Sequence, residues 1–225
     1  MNAILGMTKL NFKHSKIAYL ITGAALLSNV ISLVLLGFGI DSGVNDIATY
    51  LFALPIFMAI FIPALNFYPF MNLGGKRIDF FQANIITYLI TIFIVTAISF
   101  LVHSTIDQFV FNHNDYDISL WTTFGFTQNN NFIAMLQMFS FFTLLISAIH
   151  AIVLMQGRWY GWVINAIIVA IISVFTPIAP LRAALAWFFN LIIFHDTAIL
   201  QIINCLILAA IIYTASLIPL KHKPV

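Results

Sequence analysis

The sequence predicts an all-α, polytopic integral membrane protein, and three observations predict it. Only 7% of the 225 residues are charged and 62% are hydrophobic, with a mean hydropathy of +1.05. A soluble domain carries about 25% charged residues and could not cover its surface with so few. The apolar residues fall in runs of about 20, the length that crosses a hydrocarbon core. The charges gather in the connections between those runs, basic residues in some and acids in others. Together these predict one transmembrane domain over 1–225. It has six transmembrane helices, an N-terminal interfacial helix, and a re-entrant outer hairpin between spans 5 and 6.

Residues 1–16 carry Lys9, Lys13 and Lys16, which fall in one narrow sector of a helix. This predicts a helix lying on the inner leaflet with the lysines toward anionic headgroups, a disordered basic tail being the alternative. No cleaved signal peptide is expected, because the following apolar run is too long and no Ala-x-Ala site closes it. Span 1 is expected over about 17–40 and span 2 over 47–70, joined by a connection holding Asp41 and Asp46. Pro55 and Pro63 predict kinks in span 2. A short charged segment, 71–79, leads to span 3 over about 80–106. The polar stretch 107–131 follows, with Asp115, Asp117 and an Asn-rich end, then span 4 over 132–155. A tight turn, 156–160, leads to span 5 over 161–175. Pro177 and Pro180 break the chain there. The apolar run 183–194 is only 12 residues, short of the ~20 a span needs, so 176–196 reads as a re-entrant hairpin that other helices must bury. Seven spans with a very short sixth is the alternative. Span 6 covers 197–217, and Lys221 and Lys223 follow.

Charge sets the expected orientation. In this topology Lys9, Lys13, Lys16, Lys76, Arg77, Arg158, Lys221 and Lys223 fall on one side, leaving Arg182 opposite. Asp41, Asp46, Asp107, Asp115, Asp117 and Asp196 fall on the other side. Cytoplasmic loops collect Lys and Arg, so both termini and segment 71–79 are expected inside the cell.

Several functions are excluded or disfavoured. The chain has no glutamate, which removes the His-Glu-x-x-His metalloprotease signature and glutamate-based intramembrane proteases. It has no Gly-x-x-x-x-Gly-Lys-Ser/Thr loop, so it cannot hydrolyse ATP by that route. A single cysteine, Cys205, allows no internal disulfide. No Lys, Arg or Asp sits inside an expected span, which disfavours an ion-coupled carrier. Asn29, Asn66, Asn84, Gln137, Asn165 and Asn204 do sit in spans. They could line a polar path or hydrogen-bond between helices. His150 reads as a packing histidine, with a relay or a ligand as the alternatives. His103, His113 and His195, with Asp115 and Asp196 nearby in sequence, could assemble a metal site, but nothing about their spacing requires it and no metal site is assigned. The 23 Phe read as lipid-facing and packing surface, or as the lining of a cavity for apolar cargo. Trp121, Trp159, Trp162 and Trp187 read as an interfacial belt.

The stretch Leu73-Gly-Gly-Lys-Arg-Ile-Asp-Phe-Phe81 resembles the Leu-Gly-x-Ser/Thr-Arg-Lys-x-Phe-Phe motif after the second span of ABC-2 type transporter permeases. Leu73, Gly74, Arg77, Phe80 and Phe81 agree by position; Lys76 replaces the hydroxyl residue and Ile78 the second basic one. The basic N-terminal helix, the six spans and the broken hairpin are similar to that family in layout. The resemblance implies a cytoplasmic coupling segment, Leu73, Gly74, Gly75, Lys76, Arg77, Asp79 and Phe80, docked on a nucleotide-binding subunit. It also implies two ATPase subunits carrying ATP and Mg, and a second permease subunit of the same or a different chain. The cargo would be hydrophobic or amphipathic peptide, as in the small permeases of Gram-positive bacteria that export bacteriocins and phenol-soluble modulins. The chain itself would be a non-catalytic subunit in the bacterial cytoplasmic membrane, with no cofactor of its own and no nucleic-acid partner. A stand-alone bacteriocin-immunity or membrane-sensing protein is the alternative.

Overall fold

The computed structural model describes residues 3–38, 46–107, 119–156 and 158–223, and every regular element among them is helical. Five helical stretches are long and apolar enough to cross a membrane: 16–35, 47–72, 77–107, 131–155 and 198–222. A sixth exists if the pair 159–175 and 179–192, bent by 115°, counts as one. The chain forms two compact units, 1–139 and 140–225.

In the first unit, α1 (Ala3–His14) is followed, after Ser15, by α2 (Lys16–Gly37). Met7, Asn11, Ser15 and Ala18 recur every three or four residues and are buried together with Thr8, whereas Lys9, Lys13 and Lys16 are exposed. The second apolar run is broken into α3 (Ile47–Leu51), α4 (Ala53–Phe61), a π-helical turn at Ile62–Asn66 and α5 (Phe67–Asn72). Pro63 lies in the π turn. It has no N–H to continue the α-helical ladder and its ring crowds the preceding turn, so the helix widens there.

The longest element, α6 (Arg77–Val102), continues through a π turn at His103–Asp107. Past its first two turns its polar residues are inside: Asn84, Thr87, Thr91, Thr96, Ser99 and His103 are all buried. Ile86, Ile90, Phe93, Ile94, Ile98 and Leu101 face out. This suits a helix surrounded by lipid, where the polar side chains must find partners within the protein. Thr87 and Thr91 each donate to the carbonyl four residues back, at 2.8 Å. A short helix, α7 (Leu120–Thr123), closes the far end of the unit with Trp121 fully buried. Trp121 is therefore a core residue and not part of an interfacial belt. Its indole N–H donates to Ser99 Oγ at 3.0 Å, and its ring lies on Phe100 and His103.

The boundary between the units falls within α8 (Asn131–Met155). The second unit continues with α9 (Trp159–Phe175), α10 (Ala179–Ile192), α11 (Ala198–Ala215) and α12 (Leu217–His222). Pro177 lies in the break between α9 and α10, and Pro180 sits at the start of α10, where its missing N–H is not needed. The last carbonyls of α10 have no partner within their own helix. They are taken by α11: Gln201 Nε2 and Cys205 Sγ donate to Ile192 O at 2.9 and 3.2 Å, and Asn204 Nδ2 to Leu191 O at 3.3 Å. Cys205 and Asn204 therefore fasten the bent segment. Trp159, Trp162 and Trp187 are exposed, as belt residues are. His150 is fully buried with its ring on Tyr213 at 5.0 Å, in keeping with the packing reading. Arg158 donates to the carbonyl of His222. His113, Asp41, Asp115 and Asp117 lie outside the described residues.

Candidate functional site

The segment 71–79 is a tight turn between α5 and α6, and its backbone follows from its two glycines. Gly74 N–H donates to Met71 O at 2.9 Å, and Gly75 N–H to Phe70 O at 3.1 Å. This paired closure is the Schellman ending of a helix, which needs a left-handed residue just past the cap. Gly74 supplies it with φ +79°. Gly75 is needed for a different reason: a Cβ there would lie 2.3–2.6 Å from the Phe70 ring. That ring is held against Phe80 at 5.9 Å, and Phe80 in turn lies edge-on to Phe67 at 5.4 Å. Phe67, Phe70 and Phe80 are all buried. The turn is thus clamped from below by an aromatic cluster, and Phe80 acts from within it.

The upper side of the turn is open. Leu73 is 80% exposed and Ile78 46%, with Lys76 exposed between them. Lys76 is the extended residue preceding α6; Arg77 and Asp79 are half-buried in the first turn of that helix. Asp79 there complements the positive end of the helix dipole. Leu73, Gly74, Gly75, Lys76 and Asp79 share a cleft of ≈ 590 Å³ with Gly6, Met7 and Leu10 of α1. Five of the seven residues expected to couple are therefore at one surface feature, and α1 forms its other wall; Arg77 does not line it and Phe80 lies buried below.

Beneath the cleft, a buried amide cluster ties α1 to both spans. Asn11 Nδ2 donates to Asn84 Oδ1 at 2.9 Å and to Thr87 Oγ1 at 3.2 Å. Asn66 Nδ2 donates to Asn11 Oδ1 at 3.1 Å. Asn66 and Asn84 therefore bond between helices in this unit, one of the two roles open to them from the sequence. Asn11 had no such role assigned, because it lies outside the spans. Its place on the Met7–Ser15–Ala18 face, away from the lysines, is the signal that marks it.

Comparison with family models, with curated proteins and with solved structures returns no match. The functional reading therefore rests on the residues themselves.

A second cluster, missed in the sequence, lies at the opposite end of the same spans. Asp46 precedes α3, and His103 and Asp107 follow α6; each offers a ligand-type atom within 4.8 Å of the others. All three are buried, at 0%, 5% and 2% exposure. His103 Nδ1 stands 3.9 Å from Asp46 Oδ2 and 3.4 Å from Ser119 Oγ. Ile47 N–H and Ala48 N–H each donate to the Asp107 carboxylate at 3.1 Å, which caps α3 from 60 residues away. Asp46 and Asp107 read in the sequence as acids of the connections, on the side opposite the lysines. The structure buries them because they close the ends of two spans.

Proposed function

We propose that the chain is the transmembrane permease subunit of an ABC exporter for hydrophobic or amphipathic peptides, driven by a separate ATPase. In this reading the Leu73–Lys76 turn is the docking lever, both termini lie on the cytoplasmic side of a bacterial cell membrane, and 176–196 is a re-entrant outer hairpin between the fifth and sixth spans. One observation carries it: a turn that exposes Leu73, Lys76 and Ile78 while its underside is rigidly fixed to two spans and to α1. An exposed aliphatic pair around a lysine at the charged end of two membrane helices fits a protein partner better than it fits lipid or water. A rigid turn transmits a push from that partner to both spans, which a loose loop would not. The likeness of 73–81 to the ABC-2 permease motif supports the same role.

The test is charge reversal at the exposed position. Lys76→Glu is expected to insert and fold as the wild type does, because its side chain is outside the core. It is expected to lower ATPase stimulation and peptide export by about tenfold, the cost of a misplaced interfacial charge. Affinity purification in mild detergent should recover an ATPase with the wild type and less of it with the variant. Undiminished export by Lys76→Glu, or purification without any ATPase, would overturn the reading.

A further inference from the structure

We propose that Asp46, His103 and Asp107 form a binding site for a divalent transition-metal cation, with zinc the ion that their donors fit best. The argument starts from charge. Two carboxylates are buried within 4.8 Å of one another at the end of two apolar helices. Among the described residues, two backbone N–H groups hold the Asp107 carboxylate, Asp46 repels it and His103 attracts it. Buried charges of one sign demand a counter-charge or a metal, and a dication neutralises the pair.

Geometry agrees. Three atoms that all lie within 4.8 Å of each other share a point no more than about 2.8 Å from each. Zinc binds His nitrogen and Asp oxygen at roughly 2.0–2.2 Å, so ligands on one ion stand about 3.3 Å apart. The observed 3.9 Å between His103 Nδ1 and Asp46 Oδ2 is too long for a hydrogen bond, and closes to a shared ion with about half an ångström of movement. An imidazole among two carboxylates favours zinc over magnesium or calcium, which prefer oxygen alone.

The supporting groups are those a metal site requires. Ligand carboxylates are normally held by hydrogen bonds, and Asp107 accepts two from Ile47 and Ala48. The His103 ring lies nearly parallel to Trp121, at 19° and 6.1 Å. Trp121 is itself fixed through Ser99, whose hydroxyl donates to Ala48 O at 2.9 Å. The orientation of the imidazole is therefore set before any ion arrives. An ion there would join the start of α3 to the end of α6, far from the Lys76 turn.

The full chain, purified in detergent and stripped with chelator, would be titrated with zinc and its metal content measured. The expected result is one zinc per chain and a higher melting temperature on loading. Asp46→Asn and His103→Gln are each expected to weaken zinc binding about 100-fold or more. Cobalt(II) added to the unmutated chain should give visible absorption that zinc abolishes, a readout needing no variant. No stoichiometric zinc and no cobalt spectrum would overturn the proposal, as would zinc binding unchanged in both variants. Calcium binding without zinc binding would overturn the role of the imidazole. A metal-free chain stabilised by Asp46→Asn, with no metal bound by the wild type, would show that the carboxylates share a proton instead.

Discussion

Gly75→Ala is expected to destabilise the purified protein by about 3 kcal/mol, whereas Gly74→Ala should cost only about 1 kcal/mol. The two residues are adjacent and both end the same helix, yet different physics governs them. At Gly74 nothing lies within 4 Å of an added Cβ, so the cost is only that of holding alanine at φ +79°. At Gly75 the added Cβ meets three atoms of the Phe70 ring at 2.3–2.6 Å. A ring on the surface would swing aside. This one is buried against Phe80, which is buried against Phe67, so the turn must move instead. Movement strains the Gly75 N–H to Phe70 O bond that closes α5. Denaturant unfolding of the three proteins in one detergent gives the order. If Gly74→Ala were the more damaging, the steric account of the turn would be wrong. If 73–76 is the docking lever, Gly75→Ala should also lower export more than its loss of folded protein explains.

Much of this architecture is legible in the sequence, because long apolar runs and the absence of in-span charge are signals of composition. Pro63 marks the break in the second run, and Pro177 and Pro180 mark the 115° bend between α9 and α10. Gly74 and Gly75 mark the turn. What is hidden depends on contacts between residues far apart in the chain. Asp107 looks like the first residue of a polar loop, yet it caps a helix that begins at Ile47. Trp121 looks like an interface tryptophan because it follows an acidic stretch. Only the position of Ser99, 22 residues earlier, reveals that its N–H is satisfied inside. His103 shows both sides of this: Asp107, four residues on, shares its helix face in the local sequence, but Asp46, 57 residues earlier, is not singled out by anything near it.

Asn11→Leu is expected to cost about 3 kcal/mol, and the triple variant Asn11→Leu, Asn66→Leu, Asn84→Leu distinctly less. The single change removes a fully buried side chain that makes three hydrogen bonds to two other segments. Thr87 keeps its bond to Ala83 O, so it loses little. Asn66 Nδ2 and Asn84 Oδ1 lose the bonds they make to Asn11, and a buried polar group left unmade costs about 1–3 kcal/mol. Asn84 is the more exposed to this loss, because its Nδ2 already has no hydrogen-bond partner among the described residues. Each interhelical bond in a membrane contributes on average only about 0.6 kcal/mol, so the penalty comes chiefly from stranding the partners. Removing all three amides strands nothing and leaves apolar groups to pack, so most of the penalty should vanish. Unfolding of the wild type, the single and the triple variant in one detergent measures both steps. A triple variant worse than the single one would mean that the cluster contributes through the sum of its bonds. The triple variant also separates stability from function: an amide path that cargo must cross would stop export while the protein stays folded. An anchor that merely fixes α1 beneath the Lys76 turn would let export continue.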